Sequence, residues 1–364
     1  MPEIAQPETS VPASADLVPS SRLLPPGPGL PESILWLIGA MTVQLIGTVI
    51  GYVAITIKEL ASHNLDMQQA QDAVRAAGSV ESLITVMSIA SICTLCFTGV
   101  AAILRLGARG FTGLGFHLPS PLQAVLVVCL VLPLQLICSK LFQAIQSIVP
   151  DTGLEDFMKV LQPAPLFPLI ILVGVIPALW EELLCRGLVG RGLVSRWGVI
   201  PGMVMTSILF GIMHLNPAHA LVVIPLGLAL HFVYLTTRTL WAPMLLHFLN
   251  NAMSVVVLKQ SDGVSGSAET DVVSHLPLPM LTVSVTMTVA LLLLLWQTRT
   301  RFIQADGSEW NPGYSSLEVP PVELRGNIVR ESPRRLLLAC SAVCLLGFLG
   351  VVWQLSGSGI LASK

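Results

Sequence analysis

An all-α fold, a polytopic transmembrane bundle of about nine helices, is what three features of the sequence predict. Of 364 residues, 53% are hydrophobic and only 11% charged, far below the ~25% charged residues of soluble domains. Mean hydropathy is +0.78. The apolar residues also gather into nine stretches, each near the ~20 residues that a helical crossing needs. The formal net charge of −2 points to neither an acidic nor a basic partner. No basic tract suggests nucleic acid, so the expected surroundings are the lipid bilayer and no nucleic acid.

Residues 1–31 are rich in Pro and Ser, open on Met1-Pro2-Glu3 and hold no apolar run. They lack the basic start and apolar centre of a signal or transit peptide, and a disordered cytoplasmic tail is expected. Apolar stretches follow near 33–57, 80–104, 121–143, 166–192, 198–215, 218–236, 240–258, 276–297 and 335–355. The boundaries between 198 and 236 are the least sharply marked. Polar connections fall at 58–79, 144–165, 259–275 and 298–333. Only the last is long enough for structure of its own, and its Pro and Gly content predicts an irregular one.

With nine crossings, Arg22, Arg105, Arg109, Arg191, Arg196, Arg238 and the Arg residues from 299 to 335 all fall on one side. The positive-inside rule makes that side cytoplasmic. Trp36, Trp197, Trp241 and Trp296 fall near the same helix ends, where interfacial anchors belong. The expected molecule is an integral multi-pass protein of the plasma membrane with a cytoplasmic N-terminus. All seven cysteines lie in apolar stretches, where thiols act as small hydrophobes rather than as a disulfide framework. The pair Cys93 and Cys96 has redox or metal spacing, but a lone pair within a membrane helix favours packing.

Three apolar stretches carry groups that hydrocarbon excludes. Glu181, Glu182 and Arg186 interrupt Leu166–Leu193, His214 follows Phe210, and His247 precedes Asn250 and Asn251. A charged side chain at bilayer depth costs at least ~2.5 kcal/mol, which makes these residues functional candidates. Glu182 and Arg186 are four apart and can pair on one helical face. Glu181 points roughly 100° away and needs partners from other helices. His247 and Asn251 also share a face. A carboxylate can take a proton from water, an imidazole can hold that water directly or through a metal, and amide or imidazole donors can stabilise an oxyanion. The bland alternative is a set of polar helix-helix contacts that satisfy one another.

Glu-Glu-xxx-Arg, Phe-xxx-His and His-xxx-Asn, in that order on successive helices over about residues 120–260, resemble the CPBP family. It comprises type II CAAX-prenyl proteases and bacteriocin-processing or immunity proteins. The resemblance implies a CPBP-like catalytic membrane core at 120–260, preceded by N-terminal transmembrane helices at 33–119. It leaves 261–364 as C-terminal transmembrane helices with a cytoplasmic loop at about 298–333. It implies an intramembrane endopeptidase acting on a membrane-embedded or lipidated peptide or protein. Glu181 would be the general base and His214 would help to hold its water. His247 and Asn251 would stabilise the oxyanion, and Glu182 and Arg186 would organise the site. Family members are commonly called metalloproteases, yet no HExxH or other compact zinc motif is present. Whether a divalent metal such as zinc is held by Glu181, His214 and His247 is left open.

His231 and His219 read as structural or supporting groups, and Asn250 as a poorer candidate than Asn251. Asn216 and Pro217 are expected to end the His214 helix. Pro177 should free a backbone carbonyl near the site and bend its helix. Cys185 is not needed as a nucleophile, since a membrane-buried thiol is poorly ionised. Two other function classes compete with the protease: a non-proteolytic binding or regulatory protein of bacteriocin-immunity type, and an ion-coupled transporter. The lack of a second charged repeat counts against the transporter.

Overall fold

The computed structural model describes residues 27–62, 79–149, 153–260, 278–309, 328–329 and 334–357. The helices in chain order are α1 (Leu30–Ser62), α2 (Val80–Thr112), α3 (Pro121–Gln146), the short α4 (Leu154–Leu161) and α5 (Leu166–Trp197). They continue as α6 (Val199–Ile212), α7 (Pro217–Thr237), α8 (Trp241–Gln260), α9 (Leu278–Gln297) and α10 (Arg335–Gly357). Seven of these, α1, α2, α3, α5, α7, α8 and α9, are long and apolar enough to cross a membrane. The other two expected crossings are shorter apolar helices, α6 and the stretch Leu337–Gly350 within α10. The 14 residues of α6 extend roughly 21 Å at 1.5 Å per residue, less than the ~30 Å hydrocarbon layer.

The expected tail at 1–31 lies outside the described residues as far as residue 26. From residue 27 the chain is packed rather than loose. Arg196 Nη2 donates to the Gly27 carbonyl at 2.9 Å, and Pro28 lies against Gly192, where a Cβ would come within 2.4 Å of the Pro28 carbonyl.

Local sequence explains most helix ends. Ser120 opens α3 with a reciprocal capping box to Gln123, and Pro121 takes the first turn, where no N–H is required. Asn216 and Pro217 do not terminate α6, which ends at Ile212. They start α7, with Asn216 Oδ1 accepting from the His219 N–H at 2.9 Å. The expected helix stop was thus a helix start, because a proline without an N–H suits a first turn and Asn is a strong N-cap. Gly198, at φ 88°, separates α5 from α6.

The first two helices form a close pair. Gly47 meets the backbone of Ala90, and Gly51 meets that of Val86, the small-residue contact typical of membrane helices. Thr94 Oγ1 donates to Gln44 Oε1 across the pair at 2.6 Å. On its other side α2 packs against α5, which also lies against α8. An apolar core including Leu130, Leu134, Phe210, Leu226, Leu246 and Leu291 joins α3, α6, α7, α8 and α9, while α10 rests on α9.

At one end of the bundle the loop 113–118 is clamped to the turn after α7. Arg191 Nη1 donates to the Gly113 carbonyl at 2.7 Å, the Tyr234 hydroxyl donates to that of Leu114 at 3.2 Å, and the Leu240 N–H donates to that of Gly115 at 2.8 Å. Gly115 has φ 80°, and a Cβ there would stand 2.1 Å from the Arg238 carbonyl oxygen, so glycine is required twice over. The 298–333 segment, expected to be irregular, contributes a two-stranded antiparallel ribbon, β1 (Arg301–Phe302) with β2 (Ile328–Val329), in which Phe302 pairs with Ile328. Its residues 310–327 lie outside the described set.

Candidate active site

The site is built on α5, whose middle is irregular for a reason readable in its sequence. Pro177 has no N–H to give to the carbonyl four residues back, that of Val173. The helix widens over Ile170–Val175, returns to α geometry over Ile176–Glu182, and widens again over Leu183–Gly190. Such wide turns inside α-helices are frequent at functional sites. The freed Val173 carbonyl is taken by α8: Asn251 Nδ2 donates to it at 2.9 Å.

Glu182 and Arg186 pair as their spacing predicts, with Arg186 Nη1 donating to Glu182 Oε1 at 2.8 Å and both side chains 0% exposed. The guanidinium is anchored twice more. Nη2 donates to the Gly227 carbonyl of α7 at 2.9 Å, and the group lies 4.5 Å from the centre of the Phe210 ring. A buried ion pair is tolerable only when further hydrogen bonds offset its desolvation, and Gly227 and Phe210 supply part of that compensation.

His247 on α8 joins the same carboxylate, its Nδ1 lying 2.8 Å from Glu182 Oε1. Its Nε2 stands 3.9 Å from Glu181 Oε2. Glu181 Oε2 and Glu182 Oε2 are both buried and receive no hydrogen bond. Glu182 thus contacts both Arg186 and His247, whereas Glu181 keeps a buried oxygen without a hydrogen bond, 3.9 Å from the His247 imidazole. The pairing of Glu182 with Arg186 expected from their spacing is present.

His214 lies just beyond α6 and bonds through Nδ1 to the Phe210 carbonyl at 3.0 Å. A carbonyl only accepts, so that nitrogen carries the proton and Nε2 is left as the acceptor. Phe210 packs against both imidazoles, edge-on to His214 at 5.1 Å and to His247 at 5.7 Å. Glu181, Glu182, Arg186 and His247 are thus directly linked, and His214 joins them through Phe210. Asn251 departs from expectation, because one of its amide hydrogens is used on Val173.

Among the described residues no three His, Cys, Asp or Glu side chains form a set that could hold a metal ion. His247 Nδ1 faces Glu182 and His214 Nδ1 faces the Phe210 carbonyl, so the Nε2 atoms of both rings and the Glu181 carboxylate are the atoms that a divalent metal would have to gather.

Three contributors escaped sequence reading. Phe210 was singled out only as a motif position, yet it is 0% exposed and packs on one cation and two imidazoles. The Gly227 carbonyl has no signature in sequence. Gly190 admits His231, whose Cε1 would lie 2.5 Å from a Cβ there, which gives His231 the structural place expected of it.

Residues 163–253 match the profile of the family described as type II CAAX prenyl endopeptidase Rce1-like. The match spans 91 of the 364 residues, and over that segment the chain is similar to the family. Every polar group of the site falls inside the matched region. A protein of Bacillus subtilis (strain 168), YdiL, provisionally named a membrane peptidase, is 26% identical over 103 residues. That alignment covers 28% of this chain and 41% of the relative, so the chain spans less than half the length of the curated relative it matches. No solved structure matches.

Proposed function

We propose that the chain is an intramembrane endopeptidase in which Glu181 activates water to hydrolyse a peptide bond of a membrane-embedded or lipidated peptide or protein. The observation that carries this reading is the buried, undonated Glu181 Oε2, 3.9 Å from His247 Nε2. That gap is too long for a direct hydrogen bond and lets one water molecule touch both atoms.

Charge supports the same arrangement. Two carboxylates and one guanidinium would leave a net negative charge in a low-dielectric interior, which is costly. One further proton, held on His247 between Glu182 and Glu181, brings the group to neutrality. Glu182 then orients an imidazolium whose Nε2–H is a donor beside the base.

In the proposed reaction Glu181 takes one proton from water and the oxygen adds to the scissile carbonyl carbon. His214 Nε2 accepts from the water and orients it. The oxyanion receives the Nε2–H of His247 and the second amide hydrogen of Asn251, donors that need no reorganisation as charge develops. Glu181 then passes its proton to the leaving nitrogen, the C–N bond breaks to give a carboxylic acid and an amine, and transfer of the remaining water proton from the acid to the amine leaves a carboxylate and an ammonium. No step is assigned to a metal ion. Comparative membrane proteomics of cells carrying wild-type and Glu181→Gln protein tests the reading. A set of new protein termini that vanishes in the variant is expected. Identical termini at equal expression contradict it.

A further inference from the structure

Beyond the reaction centre, α8 carries a second row of polar groups that the proposed reaction does not use. His247, Asn250 and Ser254 are spaced three and four apart and so share one face, which faces α3. Gln135 of α3 meets it, with Nε2 donating to Ser254 Oγ at 3.1 Å, and Ser254 Oγ in turn donates to the Asn250 backbone carbonyl at 3.3 Å. Yet the side-chain oxygens of both amides, Gln135 Oε1 and Asn250 Oδ1, are buried and accept no hydrogen bond. Asn250 is 8% exposed, and the nearby positions on the two helices are apolar: Val131, Leu134, Leu246 and Val255 are all buried. No protein donor is at hand for either oxygen.

We infer that the seam between α3 and α8, lined by Gln135, Asn250 and Ser254, is a resident water site that supplies the Glu181 centre. Water is the ligand because the groups left wanting are buried acceptors on two facing helices, and water is the small O–H donor that such groups take up. Internal water occupies sites with two to four polar partners, whereas purely apolar cavities stay dry. The row also leads to the right place. Ser254 lies seven residues from His247, roughly 10 Å along the helix, and His247 at the other end of the row stands 2.8 Å from Glu182 Oε1 and 3.9 Å from Glu181 Oε2. A hydrolytic centre walled off by hydrocarbon consumes one water per turnover. The seam places a store of it one to two helical turns away. The inference deepens the hydrolytic reading and rests on it for its purpose, although hydration of the seam can be measured without any turnover.

The test is water-edited solid-state NMR of the isotope-labelled full chain in lipid bilayers. The side-chain amide signals of Gln135 and Asn250 are assigned by their loss in Gln135→Leu and Asn250→Leu. Should either variant misfold, Gln135→Glu and Asn250→Asp remove the same amide signals while keeping the shape. Magnetisation should build up from water into both amides severalfold faster than into lipid-facing residues such as Leu104 and Leu346, in wild-type and in Glu181→Gln protein alike. Build-up no faster than at those lipid-facing residues overturns the inference. A dry seam in a protein that cleaves refutes the water site alone, whereas a wet seam in a protein that never cleaves keeps the site and removes the protease.

Discussion

Two of the Glu–Arg pairs among the described residues set the same chemistry in opposite surroundings. Glu32 and Arg105 join the near ends of α1 and α2 with side chains 35% and 22% exposed, and Arg105 Nη2 donates to Glu32 Oε2 at 3.0 Å. Glu182 and Arg186 lie within α5 with both side chains 0% exposed, in contact with α6, α7 and α8 through Phe210, Gly227 and His247. The outer pair can be hydrated at little cost and contributes correspondingly little. The inner pair bears a desolvation penalty that several partners must offset. Stability alone gives no reason to retain such a pair, since apolar residues would fill the space as well. In the proposed mechanism the inner pair positions His247 and leaves Glu181 unpaired, so the contrast sets fold maintenance against site construction.

The largest stability effect should come from breaking the inner pair on one side. Arg186→Met leaves Glu182 buried without its cation and should cost about 3–5 kcal/mol, read as a loss of folded protein in a detergent-titrated unfolding curve. Removing both partners, in Glu182→Leu with Arg186→Met, should recover most of that loss while activity stays absent. A double variant as unstable as Arg186→Met would mean that the pair is a net stabiliser rather than a positioning device.

A smaller effect is expected at Asn251. Replacement by Leu orphans the Val173 carbonyl that Pro177 has already deprived of its helical donor, at about 1–3 kcal/mol. Hydrogen exchange should then quicken around 170–177 and spare α1 and α2. Unchanged exchange there would show that Asn251 does not hold the wide turn. The smallest effect belongs to the outer pair. Glu32→Gln should change stability by about 0–1 kcal/mol and leave cleavage intact, and a loss of activity would mean that the first two helices take part in the chemistry.

Legibility in the sequence followed the range of the interactions. Helix existence was readable because hydrocarbon demands long apolar runs, and the Glu182–Arg186 pair because it lies within one helical turn. The different surroundings of the two glutamates were also readable, since Glu181 lacks a partner within its own helical turn. What escaped were contacts between helices. The choice of His247 by Glu182, the filling of the Val173 carbonyl by Asn251 and the packing of Phe210 against two imidazoles depend on helix rotations that no single stretch encodes. The Asn216-Pro217 pair was misread for a simpler reason: the same two residues serve a helix end or a helix start, and only the position of the next apolar run decides. Asn250 was ranked below Asn251 by position alone, although its orphaned oxygen is the one left seeking a donor.

Glu181→Gln tests the central claim most directly, because the amide keeps the size of the side chain and removes its ability to take a proton. Wild-type and variant proteins, purified and shown to unfold alike, should be reconstituted with a membrane substrate identified by the termini comparison. The account predicts that cleavage falls to background in the variant while substrate capture persists. Cleavage at the wild-type rate would show that Glu181 is not the base and would remove the proposed mechanism.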